Sequence, residues 1–296
     1  MPSLPSVEGV RLATVEDLHR IAIVAASAFF WSPTFQFQRP RYRDFPADTV
    51  ASYLFEYEAA IHDPTCAVLV AEDKVERNEA DYVYEALQGT YQAEDQSGRA
   101  IVGVCSIILK PDSIFLGHFQ PRSGITANLA AQSDSSTDGS RCRPTADRKR
   151  DQCALSVELY NRATQPAKSR YLNGKMRLST LAVAPAYWRR GHATRLVDFY
   201  TQLADSDAAI LGVSATPRGA LVTERAGFSR CELVHVKRPP APGRLQCEDS
   251  PPDMAGWEAH AAQDVELWSV TAHEQNSMSA TYHTPFQDRT AAALQQ

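Results

Sequence analysis

Between Met176 and Ala204 the sequence changes hydrophobic period twice, and few arrangements accommodate both changes in so short a stretch. Met176 and Leu178 keep one alternation of apolar side chains, whereas Leu181 and Val183 keep the opposite one. A strand that switches faces in this way carries one extra residue, so a β-bulge is predicted at Ser179 or Thr180. The period then lengthens. Ala193, Leu196, Val197, Tyr200, Leu203 and Ala204 fall at i, i+3, i+4, i+7, i+10 and i+11, an apolar stripe one helix face wide. The stretch reads as a bulged strand, a tight turn and an amphipathic helix, which is α/β construction.

The turn carries chemistry. Arg189-Arg190-Gly191-His192-Ala193 sets two cations, a glycine and a small residue where the helix has unpaired backbone N–H groups. Small residues let a ligand approach the backbone, and the N–H groups with the positive end of the helix dipole favour an anion there. A phosphate or pyrophosphate is the predicted occupant.

This run resembles motif A of the GNAT (GCN5-related) N-acetyltransferases, whose pattern is L-x-V-x-P-x-x-[QR]-x-x-G-x-[GA]. Leu181, Val183, Pro185, Gly191 and Ala193 match, and Trp188 stands where Gln or Arg is usual. Ala215-Thr216-Pro217-Arg218-Gly219, followed by Leu221 and Gly227-Phe228, resembles motif B at the right distance. The resemblance is specific over Lys175 to Phe228, weaker over Val10 to Leu109, and closest in wording to fungal-type members.

It implies an α/β GNAT fold: a mixed central sheet flanked by helices, with the motif A strand splayed from the next strand, Ala209 to Ser214. Acetyl-CoA would wedge into that splay as acetyl donor, with no metal required. Leu181, Ala182 and Val183 would pair with pantetheine through their backbone. Arg189, Arg190, Gly191, His192, Ala193 and Thr194 would surround the pyrophosphate. A backbone N–H near the bulge would polarise the thioester carbonyl. The implied activity is N-acetyl transfer by direct attack of a neutral amine, which needs no covalent enzyme intermediate. A small-molecule amine is the expected acceptor, and a protein N-terminus or lysine the variant.

The proton-transfer residues are not identified. The family often places a general acid Tyr four residues before the Gly of motif B, where this chain has Thr223. Ser214 and Thr216 are the stand-ins, although strand-end and turn roles suit such hydroxyls better. The motif A strand offers Arg177, Ser179 and Thr180 and no carboxylate, so no base is nominated. Trp188 and Thr223 together keep open an alternative, a degenerate GNAT-fold protein that binds acetyl-CoA or a partner without turnover.

The remaining chain sets limits. Lys and Arg number 30 against 35 Asp and Glu, a net charge of -5 that argues against generic nucleic-acid binding. Six cysteines and eight histidines form no ligand-like cluster, so reduced thiols and no metal are expected. Met1 to Pro5 lacks signal-peptide character and no apolar run reaches membrane-spanning length, which gives a cytoplasmic expectation with no membrane partner.

Residues 1–271 are read as one domain with insertions at about 72–99 and 111–174, followed by a disordered tail over 272–296. Val10 to Leu12 is a predicted strand, Thr14 caps a helix running from Leu18 to Phe29, and Asp48 to His62 is a second helix. The aromatic segment Phe30 to Phe37 reads as core, with the acceptor wall as second choice. Cys66 to Ala71 and Ile101 to Leu109 are apolar throughout, as strands covered on both faces should be. The insertion over 72–99 has room for a short helix. From Gln132 to Asp151 the composition is that of a solvated, disordered loop, including Arg148-Lys149-Arg150. Pro217 to Ala226 is a helix, Glu232 to Val236 and Val265 to Val270 are the last strands, and Arg238 to Asp253 between them is irregular.

Overall fold

The computed structural model describes residues 4–91, 98–121, 149–237 and 262–270. Seven strands among the described residues form one sheet: β1 (Val10–Leu12), β2 (Cys66–Lys74), β3 (Arg99–Ile108), β4 (Met176–Val183), β5 (Leu211–Ala215), β6 (Ser229–Lys237) and β7 (Ala262–Val270). Their order is β1-β2-β3-β4-β5-β7-β6, with β4 and β5 parallel and the other neighbours antiparallel. The mixed sheet expected from the sequence is present.

Helices cover both faces of its centre. On one side α1 (Leu18–Phe29) and, after the short α2 (Pro33–Gln38), α3 (Pro46–His62) pack on Val68, Val70, Val102, Val104 and Ala182. On the other, α6 (His192–Ser206) and α7 (Pro217–Arg225) pack on Leu69, Cys105, Ile107, Met176, Leu178, Leu211 and Val213. Two covered faces explain why β2 and β3 read as continuous apolar runs rather than alternating ones. Each large side chain buried this way contributes roughly 1.5–3 kcal/mol.

The bulge lies where the phase change places it. Thr180 pairs with Ser106 and Leu178 with Ile107, so Ser179 is the extra residue of β4. Met176 and Leu178 accordingly belong to the α6 side of the core and Ala182 to the α1 side.

β4 and β5 pair at three rungs, Met176 with Leu211, Arg177 with Gly212 and Leu178 with Val213. Beyond the bulge they part, β4 running on to Val183 and β5 to Ala215. The paired end is held by the buried Tyr200 of α6, whose hydroxyl is 2.9 Å from the Met176 carbonyl and 3.2 Å from that of Gly212, and accepts from the Gly212 N–H at 3.3 Å.

The described parts of both insertions contain helices. In the first, a 3-10 turn (Glu79–Tyr82) and α4 (Glu85–Gln88) follow β2. Buried Arg20 of α1 forms an ion pair with Glu79 at 2.8 Å and donates to the Tyr91 hydroxyl at 2.8 Å, which fixes this insertion to α1. In the second, α5 (Ala154–Leu172) is a helix that the sequence reading did not foresee. It carries Pro166 and buries Ser156, Thr164, Ala167 and Leu172, half of them polar, so no apolar stripe betrays it.

The reading of Asp151 as solvated loop is corrected, while Arg150 is exposed as expected. Asp151 is fully buried, ion-paired to Arg39 and accepting from Thr49 Oγ1 at 2.8 Å. Arg150 reaches Asp48 at 2.8 Å and lies over the Phe45 ring. Asp151 and Asp48 are buried here because each has an arginine partner, and composition cannot show a partner a hundred residues away. The tract 132–148, the irregular segment 238–253 and the tail 272–296 lie outside the described residues.

Candidate active site

The splayed half of β4 leads through a 3-10 turn (Pro185–Tyr187) into α6. Gly191 is the N-cap of that helix at φ 83°, and a Cβ built there meets nothing within 4 Å. Glycine is therefore needed for its backbone conformation, not for space. Arg189 also has a positive φ of 63°, an uncommon state for a side-chain-bearing residue. The two turns aim the first N–H groups of α6 outward: no side chain caps them, and the first bond of the helix runs from Arg195 N to Gly191 O at 3.0 Å. An uncapped helix start of this kind attracts anions.

Leu181, Ala182 and Val183 line the splayed edge of β4, and Arg189, Arg190, Gly191, His192, Ala193 and Thr194 form the turn and first helical residues, so all nine lie along one path. Their side chains do different things. Arg190 is tied to Glu76 at 2.6 Å and lies over the Tyr187 ring. His192 is buried, its Nε2 3.0 Å from Asp73 and its Nδ1 3.3 Å from Arg195. Burial, helped by the Arg195 charge, lowers the His192 pKa despite Asp73, so the ring packs as neutral imidazole and its backbone faces the open end. Arg189 has no ion pair among the described residues.

Trp188 turns back on the strand. Its Nε1–H donates to the Val183 carbonyl at 2.6 Å, its ring meets Trp31 edge-on, and Arg218 of α7 lies over both rings. Of the aromatic segment, Phe35 and Phe37 are buried as core residues, Phe30 stacks on Tyr84, and Trp31 stays 43% exposed at this mouth.

The bulge has its own network. Thr180 Oγ1 accepts from Tyr57 of α3 at 3.0 Å and from the Ser106 N–H at 3.1 Å. Tyr57 is buried and its pKa pushed well up by that burial, so its proton stays on and is committed to Thr180. Its neighbour Glu56 is reachable by solvent, yet desolvation raises its carboxyl pKa against the opposing pull of Arg39. Nothing in the sequence of a predicted helix singles out Glu56 from its other acids.

Over 235 residues the chain is 30% identical to a protein named acetyltransferase from Stachybotrys chartarum (strain CBS 109288 / IBT 7711), a match spanning 79% of this chain and 86% of the relative. The chain belongs to the GNAT acetyltransferases. It is an acyltransferase. No family model matches the chain. Among solved structures, it is similar to histone acetyltransferase HPA2 and related acetyltransferase from Corynebacterium glutamicum, at 17% identity, covering 90% of this chain and 98% of the other with a TM-score of 0.44. It is also similar to a mosquito arylalkylamine N-acetyltransferase like 5b, at 14% identity, 88% and 98% coverage and a TM-score of 0.42.

In this GNAT acetyltransferase the hydroxyls of the motif B region separate into distinct jobs. Thr223 is buried and donates to the Ala220 carbonyl at 2.9 Å. Thr216 caps α7, accepting from the Gly219 N–H at 3.4 Å, a turn role. Ser214 is different: its Oγ is buried and has no hydrogen-bond partner among the described residues. Burial raises the phenol pKa of Tyr160 on α5. Tyr160 was out of reach of sequence reasoning because its helix was. Among the described residues no His, Cys, Asp and Glu group could hold a metal ion, and no helix is long and apolar enough to cross a membrane.

Proposed function

We propose that this GNAT acetyltransferase takes its acetyl group from acetyl-CoA and passes it directly to a neutral amine, with a small-molecule amine as the acceptor. The observation that carries this reading is the continuous backbone edge from Ser179 along the splayed part of β4 to the uncapped start of α6. Such an edge offers peptide groups to an amide-bearing chain such as pantetheine and ends on N–H groups suited to a pyrophosphate. Leu181 and Ala182, with Val183 whose carbonyl Trp188 already holds, are the proposed pantetheine edge. Gly191, His192, Ala193 and Thr194 supply backbone to the pyrophosphate, and Arg189 supplies charge.

At the bulge, the unpaired Ser179 leaves a peptide group for the thioester carbonyl, where an aimed N–H stabilises the developing oxyanion. Glu56 is the proposed base for the amine. Desolvation raises its carboxyl pKa, the direction that makes a carboxylate a stronger base. The buried cysteines Cys66 and Cys105 both have raised thiol pKa values, chiefly through burial, which suits packing residues rather than covalent nucleophiles.

Two measurements test the reading. Acetyl-CoA at about a hundred times its dissociation constant should stabilise the purified protein by roughly 2.7 kcal/mol, a Tm rise of several degrees that acetate alone does not give. Free thiol should then be released when primary amines are added. Gly191→Glu, which strains the φ 83° position and sets an acid at the helix start, should abolish both. No shift at millimolar acetyl-CoA, with no thiol release from any amine, would overturn the proposal.

A further inference from the structure

We infer that Lys168 of α5 and Arg177 of β4 select an acceptor amine that also carries an anionic group, a specificity that rests on the amine-acceptor reading above. The placement begins with strand alternation. Met176 and Leu178 belong to the core beneath α6, so Arg177 between them points to the opposite face of the sheet. Its partner across the β4–β5 pairing is Gly212, where a Cβ would stand 2.6 Å from Leu172 Cδ2 of α5. The bare backbone of Gly212 is what lets α5 sit directly on β5, beside Arg177. Lys168 is one helical turn before Leu172 and shares its face, with Nζ 4.9 Å over the Tyr160 ring.

The same face of β4 meets α3 on its other side, where Tyr57 donates to Thr180 at 3.0 Å. α3, with Glu56, and α5, with Lys168, therefore flank β4. One flank carries the proposed base for the amine and the other a cation.

Neither Lys168 nor Arg177 has an ion pair among the described residues, and the acids around them explain why. β4 and β5 carry no carboxylate. Glu158, the one acid of α5, is paired with Arg162 at 2.6 Å, and Glu232 of β6, on which α5 packs, with Arg170 at 3.1 Å. Buried Arg20 and Arg39, by contrast, each have a carboxylate of their own. Lys168 and Arg177 are both half-buried. Burial lowers the Lys168 pKa and the Arg177 charge lowers it further, as two like charges brought together out of water require. An anion shared by the two relieves that cost with charge-assisted hydrogen bonds.

Position along the strand sets the shape of the acceptor. Arg177 is three residues before Thr180, roughly 10 Å of strand. An amine at the bulge and an anionic oxygen group at Arg177 and Lys168 thus sit at opposite ends of a short chain, as in an ω-amino carboxylate or the phosphate ester of an amino alcohol. A plain alkylamine leaves both cations unmatched, and a diamine sets a third beside them.

The test measures thiol release from acetyl-CoA by full-length wild-type protein with short ω-amino carboxylates, their carboxamides, amino-alcohol phosphates and diamines. We expect kcat/KM for the anionic amine to exceed that of the matching carboxamide by about tenfold to a hundredfold, and the faster of carboxylate and phosphate identifies the anion. Lys168→Gln and Arg177→Gln should each cut this preference about tenfold. Both substrates meet the same protein, so the ratio is independent of how much of a variant is folded. Lys168→Glu should move the preference towards diamines. A wild-type ratio within about threefold of unity, or a preference that both Gln variants retain, would overturn the inference. Failure of the donor reading looks different and overturns both: wild-type protein itself would show neither a thermal shift with acetyl-CoA nor thiol release from any amine.

Discussion

Removing the carboxylate of Asp151 should destabilise this protein more than most single substitutions, although its sequence neighbourhood reads as loop. The Asp151 side chain has no exposed surface and that of Arg39 is 10% exposed, so the pair is cut off from solvent. Arg39 also donates to Ser52 Oγ at 2.7 Å and lies 4.9 Å over the Tyr53 ring, and Thr49 donates to Asp151 at 2.8 Å. Asp151→Ala leaves the guanidinium buried among aromatic rings with its charge unpaired. Breaking a buried pair from one side costs about 3–5 kcal/mol, which for a chain of this size is a Tm fall of roughly ten degrees. Asp151→Asn keeps an acceptor and loses the charge, and should cost less, about 1–3 kcal/mol. The double change Arg39→Met with Asp151→Leu replaces the pair by apolar volume and should recover most of the loss. Thermal and urea unfolding of wild type, these three variants and the single Arg39→Met and Asp151→Leu proteins measures this. An Asp151→Ala variant within about 1 kcal/mol of wild type, or a double variant as unstable as the two single effects added, would refute the argument.

Two further outcomes follow from titrating groups. His192 has a folded pKa below its ordinary 6.5, chiefly through burial. As pH falls through about 6.5 the unfolded chain takes up a proton that the folded one refuses, so His192 stability is complete above that value and lost below it. Wild-type Tm should therefore drop relative to a His192→Gln variant between pH 7.5 and 5, and a constant difference across that range would refute it. Glu56 must be ionised to act as base and its pKa is raised, so kcat/KM should decline as pH falls through that raised value. Glu56→Gln should lower kcat/KM by about a hundredfold and remove that acidic limb, and a limb that persists in the variant would exclude the assignment.

What could be read from the sequence was what has a local period. The bulge at Ser179 is visible because a strand has period two and one added residue flips every later side chain, as Leu178 and Ala182 show by facing opposite cores. α6 is visible because its stripe obeys period 3.6, and Gly191 because only glycine sits easily at φ 83°. What could not be read depends on partners far along the chain. Arg20 finds Glu79 and Arg39 finds Asp151, neither within fifty residues of its mate. α5 has no stripe because it rests on the sheet through few residues and a glycine opposite them.

The extra residue of β4 has consequences that reinforce one another. With Ser179 inserted, Thr180 turns to the α3 side, where Tyr57 and Ser106 hold it. Without it, Thr180 would point with Leu178 into the apolar core under α6, where a hydroxyl lacking a partner is costly. The same kink ends the pairing of β4 with β5, because the next β4 residues no longer present their peptides in register with Ser214 and Ala215. Tyr200 holds the paired end together behind the parting by bonding Met176 of β4 and Gly212 of β5, at the first two of the three rungs. The gap therefore opens at one defined point, between a peptide freed at Ser179 and a hydroxyl left unpaired at Ser214. A flat strand would bring neither to the other.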